Sequence, residues 1–152
     1  MSKHTCVIYV KTSMDLSAKY GAYCATFVTM NDSYVKVARF KNRVATLTAA
    51  DCMAAVNALH ILSNNINFEY ITDVILITDS GKVEKMLTVY KAEKHCEQAA
   101  ERWRKEIQPR YSNKNFTIRK AKAAAGTNDG YALTTCENAA ANELKKFKQL
   151  LT

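Results

Sequence analysis

Two apolar runs in this chain each end on a charged residue. Cys6-Val7-Ile8-Tyr9-Val10 ends on the cation Lys11, and Val74-Ile75-Leu76-Ile77-Thr78 ends on the anion Asp79. A carboxylate at such a point is a hard oxygen donor suited to a cation such as Mg²⁺, whereas an ammonium opposes a metal. The softer donors are poorly placed for one. Cys6, Cys24, Cys52, Cys96 and Cys136 are odd in number and widely spaced, which suggests neither a disulfide framework nor a CxxC knuckle. His95-Cys96 is an adjacent pair with no second His/Cys pair at zinc-ligand spacing, so the thiols read as reduced and mostly buried, and no metal or cofactor is expected from them. The remaining chemistry is cationic. Arg39, Lys41 and Arg43 close one strand-like run and Arg119, Lys120 and Lys122 close another, and both groups are candidates for phosphate contacts in nucleic acid.

The charge balance bounds the choice of partner. The chain of 152 residues carries a formal +8, and between Lys82 and Lys122 there are 12 Lys and Arg against 5 Glu, so the surplus is concentrated there. Such a region can face a polyanion, or it can be a solvated helical face on which Glu84/Lys85, Glu93/Lys94 and Glu101/Arg102 alternate. With 48% hydrophobic residues, 4 Gly and 1 Pro, the composition fits a single domain over 1–152 rather than a fibrous or disordered chain. No apolar stretch approaches the roughly 20 residues of a membrane helix, and Met1-Ser2-Lys3-His4-Thr5 leads into a strand-like run without an apolar signal region. An intracellular, reducing (cytoplasmic) location without membrane contact is expected.

These residues need elements to hold them. β-branched and aromatic runs predict strands over 5–11, 22–30 and 34–41, with Asn31-Asp32-Ser33 as the turn of an antiparallel hairpin. The period then changes. Thr48-Ala49-Ala50-Asp51 has the form of a capping box, and Met53, Val56, Leu59 and Ile61-Leu62 recur at helical spacing, which predicts a helix over 49–63. The wholly apolar run 74–78 predicts a central, parallel strand. Ser80 caps a helix whose apolar side is Val83, Met86, Leu87 and Tyr90, and a third helix over 92–108 ends at Pro109. A fifth strand over 116–121 follows, then a loose segment through Gly126 and Gly130, then a helix over 135–150 that buries Ala140, Leu144, Phe147 and Leu151. The order implies an α/β domain, a mixed five-stranded sheet with its first three strands antiparallel and helices on its faces.

Four segments in this order resemble the ribonuclease H-like superfamily. In that family the first strand ends in Thr-Asp-Gly-Ser, and here the run ends Lys11-Thr12-Ser13. The family's helix signature, an acidic residue followed by Met-Ala-Ala and Ala-Leu, is similar to Asp51-Cys52-Met53-Ala54-Ala55-Val56-Asn57-Ala58-Leu59. Its central strand ends Thr-Asp-Ser, as do Thr78-Asp79-Ser80. Its last helix carries Asn-Glu-x-x-Asp-x-Leu, a frame that Asn138 to Leu144 keeps with Asn142 in place of the final carboxylate. Four family carboxylates hold two Mg²⁺ ions, roughly 3.5–4 Å apart, that bridge the scissile phosphate. The resemblance implies the quartet Lys11, Asp51, Asp79, Asn142, whose nominal charge falls from about −4 in the family to −1 here.

With that charge two divalent ions are not expected to be held, and Lys11 takes the metal's place beside Asp79. The resemblance then implies a catalytically inactive ribonuclease H-like domain, a pseudoenzyme acting as a binding or adaptor module. Its partner is a protein or a nucleic acid, with neither ranked above the other, and its oligomeric state is open. Six tyrosines are candidate interface anchors, and 121–134 is a candidate recognition loop. The alternative is a weak metal-dependent nuclease of ribonuclease H or junction-resolvase type, its acidic site rearranged through Asp15, Glu137 or Glu143.

Overall fold

The computed structural model describes residues 2–89, 93–121 and 128–151. Its centre is the parallel pair β1 (Thr5–Asp15) and β4 (Asp73–Thr78), in which Ile8 faces Leu76 and Tyr9 faces Ile77. All four of these side chains are buried, as expected of strands covered on both faces. β2 (Tyr20–Val28) and β3 (Ser33–Arg39) extend the sheet antiparallel on one side, and β5 (Asn115–Lys120) extends it parallel on the other, giving the order β3-β2-β1-β4-β5. β2 alone runs against the rest. The C-terminal ends of β1, β3, β4 and β5 therefore all lie at one end of the sheet.

Alternation along each strand divides the core in two. Ile8, Ala25, Phe27, Val74 and Leu76 pack with α1 (Leu47–Ser63), α2 (Gly81–Thr88) and α3 (Glu97–Arg102). Tyr9, Cys24 and Ile77 pack against Leu133, Cys136 and Ala140 of α4 (Asn128–Leu150) on the opposite face. The small side chains of α1, with Ala49, Ala50, Ala54, Ala55 and Ala58 all buried, let it approach both sheet and neighbouring helices closely.

Several boundaries differ from the sequence expectation. β1 runs four residues past Lys11. The first helix is capped one half-turn earlier than the proposed box, by Thr46, whose Oγ1 accepts from Ala49 N at 3.1 Å. Asp51 is thereby released from capping. The third helix is α-helical only over Glu97–Arg102, then widens to a π-turn over Trp103–Ile107 and closes as a 3₁₀ turn over Gln108–Tyr111. Pro109 stands at the start of that last turn, where its missing N–H has no partner to lose. Trp103 Nε1 donates to Leu87 O at 3.0 Å and Tyr111 Oη to Leu59 O at 2.6 Å, so two buried aromatic groups fix the irregular segment. α4 begins at Asn128, well before 135, and Leu151 is 55% exposed rather than buried. Of the expected 121–134 loop, 128–134 is the start of α4, while Tyr90 and 122–127, with Gly126, lie outside the described residues.

Candidate functional site

The strand register builds the site. Tyr9 faces Ile77, so two residues further along the parallel pair Lys11 stands beside Asp79, and Lys11 Nζ lies 2.9 Å from Asp79 Oδ2. Thr12, on the opposite face, donates from Oγ1 to Asp51 Oδ1 of α1 at 2.6 Å. Glu137 reaches the same place from α4. Lys11, Thr12, Asp51, Asp79, Ser80 and Glu137 line a cleft of about 400 Å³ whose apolar wall is Val10, Leu47, Ala55 and Leu76. Ser80 Oγ accepts from Val83 N at 3.4 Å and caps α2, which fixes the turn immediately after Asp79.

The electrostatics follow from that crowding. Burial acts to lower the Lys11 pKa, but its hydrogen bond to Asp79 and the charges of Asp79, Glu137 and Asp51 outweigh it, and the net shift is upward. Lys11 stays an ammonium at neutral pH. Burial pushes the Asp51 carboxyl up, aided by the charge of Asp79 and opposed by the Thr12 hydroxyl and by Lys11. The cleft thus combines three carboxylates with one internal cation, a nominal −2.

This is one charge more negative than the sequence quartet, and the difference is a correction. Asn142 is exposed on α4 and does not line the cleft; Glu137, five residues earlier, does. The other proposed substitutes are engaged elsewhere. Asp15 Oδ2 pairs with Lys148 Nζ at 2.8 Å, and Glu143 Oε1 pairs with Arg39 Nε at 2.8 Å. Two divalent cations bridging a phosphate need a shared set of oxygen donors. Here an ammonium occupies the hydrogen-bonding position on Asp79, and no group of three or more His, Cys, Asp and Glu among the described residues is disposed to hold a metal ion. The donor set does not fit that ion pair.

The six candidate phosphate-binding residues have different fates. Arg39 is held by Glu143 and lies 5.0 Å over the Phe147 ring. Arg119 Nη1 pairs with the 7%-exposed Asp129 at 2.8 Å, and Tyr9 Oη donates to the same carboxylate at 2.9 Å. Those two arginines have partners within the domain. Arg43 is exposed and lies over the Tyr20 ring, while Lys41 and Lys120 are exposed. Lys122 lies outside the described residues. Lys41 and Arg43 follow the C-terminal end of β3 and Lys120 ends β5, so the three exposed cations come from the two edge strands at the same end of the sheet as the cleft, although none of them lines it. All five cysteines are free and buried. Among the described residues no helix is long and apolar enough to cross a membrane.

The sheet order, the mixed strand directions and the strand-end cleft together define a ribonuclease H-like α/β fold. Solved structures agree. The chain is similar to LC11-RNase H1, isolated from compost by a metagenomic approach, at 14% identity and a TM-score of 0.70, over 94% of this chain and 97% of that one. It is similar to the N-terminal RNase H domain of rv2228c from Mycobacterium tuberculosis at 13% identity and a TM-score of 0.66, over 97% and 99%. It is also similar to RNase H1 from the halophilic archaeon Halobacterium salinarum NRC-1 at 16% identity and a TM-score of 0.59, over 93% and 98%. Neither a family model nor a curated protein sequence matches the chain.

Proposed function

We propose that this chain is a non-hydrolysing ribonuclease H-like module that binds a nucleic-acid strand across the C-terminal ends of its sheet. The observation that carries the reading is the 2.9 Å contact between Lys11 Nζ and Asp79 Oδ2. An ammonium on that carboxylate supports a reading without two-metal hydrolysis, because it competes with a metal for the same oxygen. The flanking cations Lys41, Arg43 and Lys120 supply phosphate contacts on either side, and the formal +8 favours a polyanion over an acidic-surface competitor of low charge density. Such binding is tolerant of sequence, because phosphate contacts position a strand without reading its bases. A reducing intracellular compartment suits five free thiols.

The test is a gel-shift titration against single-stranded, duplex and hybrid oligonucleotides at two salt concentrations. Three phosphate contacts predict a slope of about −2 in log K against log salt for a single strand. Absence of binding at low salt removes nucleic acid and leaves a protein adaptor as the partner class.

Glu137 favours a second reading, a metal-dependent nuclease of ribonuclease H or junction-resolvase type. With Asp51 and Asp79 it supplies three cleft carboxylates, and swinging Lys11 out to solvent would free them. Incubating the same substrates with Mg²⁺ or Mn²⁺ separates the two. The first reading expects no cleavage by the natural chain, whereas cleavage abolished by Asp79→Asn establishes the second. Lys11→Asp adds a carboxylate and removes the ammonium, and is expected to create Mn²⁺ binding measurable by calorimetry.

A further inference from the structure

A second cavity, of about 420 Å³, lies away from the strand-end cleft, between the outer part of β3 and the helices α1 and α3. Its volume falls within the range of small-molecule pockets, roughly 300–1,000 Å³. Its apolar lining is Ala38, Met53 and Ile61 with the rings of Tyr23 and Phe40, whose centroids are 5.4 Å apart. Polar side chains form one wall and the rim. Arg102 Nη1 donates to Asn57 Oδ1 at 2.6 Å, and Asn57 in turn hydrogen bonds to the Tyr23 hydroxyl. This chain of contacts holds the guanidinium in place.

Arg39, Arg102 and Lys41 are the lining cations, and Arg110 stands behind His60. His60 stands beside Arg102 and accepts at Nδ1 from Arg110 Nη1 at 3.2 Å, while Arg110 is further fixed by the Ser63 hydroxyl at 2.9 Å. Burial, together with the charges of Arg102 and Arg110, lowers the His60 pKa, against a smaller opposing effect of Glu106. Lys41 and Asn42 stand at the mouth. Two acids face the lining cations: Glu143 pairs with Arg39 at 2.8 Å and takes that arginine out of play, while Glu106, 66% exposed, has Oε2 3.8 Å from Arg102 Nε and screens it only weakly. A lining that combines aromatic and apolar side chains with the cations Arg102 and Lys41 and the amides Asn42 and Asn57 matches a ligand that carries both a planar apolar part and an anionic group.

The geometry points to a nucleoside-phosphate site: the base against Phe40, Met53 and Ile61, and the phosphate on Arg102, with Lys41 closing over it. An arginine pre-set by a side-chain partner suits phosphate because its fork makes paired hydrogen bonds at little entropic cost. The site does not depend on the reading of the strand-end cleft, with which it shares only Lys41 at its edge. The same chemistry is presented by a free mononucleotide and by the 5′-terminal residue of a strand.

Calorimetric titration of the whole chain with AMP and CMP tests this, with adenosine and inorganic phosphate as the two half-ligands. Expected are saturable binding of a mononucleotide, weaker binding of either half, and a loss of about tenfold or more in Arg102→Gln. Lys41→Gln, an exposed change that leaves the core untouched, should weaken binding by a smaller factor, and Lys146→Gln on α4 should leave it unchanged. A 5′-phosphorylated single strand that competes with AMP identifies a strand end as the ligand; one that does not identifies the free nucleotide. No binding of either mononucleotide at millimolar concentration overturns the site, as does binding that Arg102→Gln and Lys41→Gln both leave intact. Gel shifts sensitive to Lys120→Gln alone address the cleft separately.

Discussion

Lys11 and Asp79 meet because two parallel strands are in register, and Asp51 meets Thr12 because the next residue of the same strand points to the other face. The Lys11–Asp79 pair is open to water, with the carboxylate side chain 51% exposed, so its worth to folding is within about 1 kcal/mol. Lys11→Met should therefore shift the denaturation midpoint only slightly, and a large loss of stability would mean the ammonium is doing more than occupying the cleft. Asp51 differs, because burial raises its folded pKa above the unfolded value. The native state then binds the proton more tightly than the unfolded chain, so this group favours folding at acid pH and loses that contribution as pH rises through the folded value. Asp51→Asn keeps an oxygen for Thr12 and removes the desolvated charge. It should raise the urea midpoint at neutral pH and give no gain near pH 4; the reverse pattern would contradict the assignment. Asp51 and Asp79 could be read from sequence because short motifs surround them. Glu137 could not be chosen over Asn142 by that route: a five-residue offset on a helix turns a side chain by roughly 140°, and the frame Asn138 to Leu144 carries no mark of which face is inward. The adjacent buried Cys136, apolar at a position next to an acid, is the signal that could have found it.

At the scale of elements, the sheet was legible and the helix ends were not. Strand runs declare themselves by β-branched composition, whereas α4 starts at Asn128-Asp129-Gly130, residues that read as a loop until a partner fixes them. The partner is long-range: Asp129 is held by Arg119 of β5 and Tyr9 of β1, and its carboxylate also sits in the first turn of α4 where negative charge is favoured. Asp129→Ala should cost about 2 kcal/mol, less than a fully buried pair because Arg119 can turn to water. Chemical denaturation measures it, and a cost below about 0.5 kcal/mol would mean that α4 is anchored elsewhere. The same helix lies close to the sheet through Cys136 and Ala140, both fully buried against Tyr9 and Cys24. Ala140→Leu should overpack that contact by about 1–3 kcal/mol and displace Glu137 from the cleft along with it. The widened turn at Trp103 was equally hidden, since Cys96, Ala99, Trp103 and Ile107 keep an ordinary helical stripe while the Trp103 indole, bonded to Leu87 O, draws the backbone open.

Across the whole molecule most buried thiols and phenols shift in one direction, with Cys136 the exception. Burial pushes the Cys6 thiol up to about 11 from 9.0, and the Tyr9 and Tyr34 hydroxyls to about 12 from 10.0, with Asp129 adding to the shift at Tyr9. Cys52, Cys96, Tyr23 and Tyr111 are raised by burial as well. Cys24 is raised by its hydrogen bond to Cys136 and by burial, and Cys136, in contact with Cys24 and Thr26, is drawn the opposite way. For each raised group the unfolded chain releases its proton first as pH increases. The native state then binds more protons than the unfolded one, and stability must fall with pH, by up to about 1.4 kcal/mol per unit for each group in its window. Lys11 acts in the same sense above its ordinary 10.5, since its pKa is raised by the cleft carboxylates. The expected result in reducing buffer is a urea midpoint that does not fall before about pH 9, Cys136 acting in the opposite sense between about 7 and 9, and then drops ever more steeply towards about pH 11, as thiols and then phenols ionise in the unfolded chain. Cys6→Ala should delay the first part of that fall, and Tyr9→Phe the second. A midpoint that stays level through this range would mean that these side chains reach water in the folded protein, and the two-sided core around β1 and β4 would have to be redrawn.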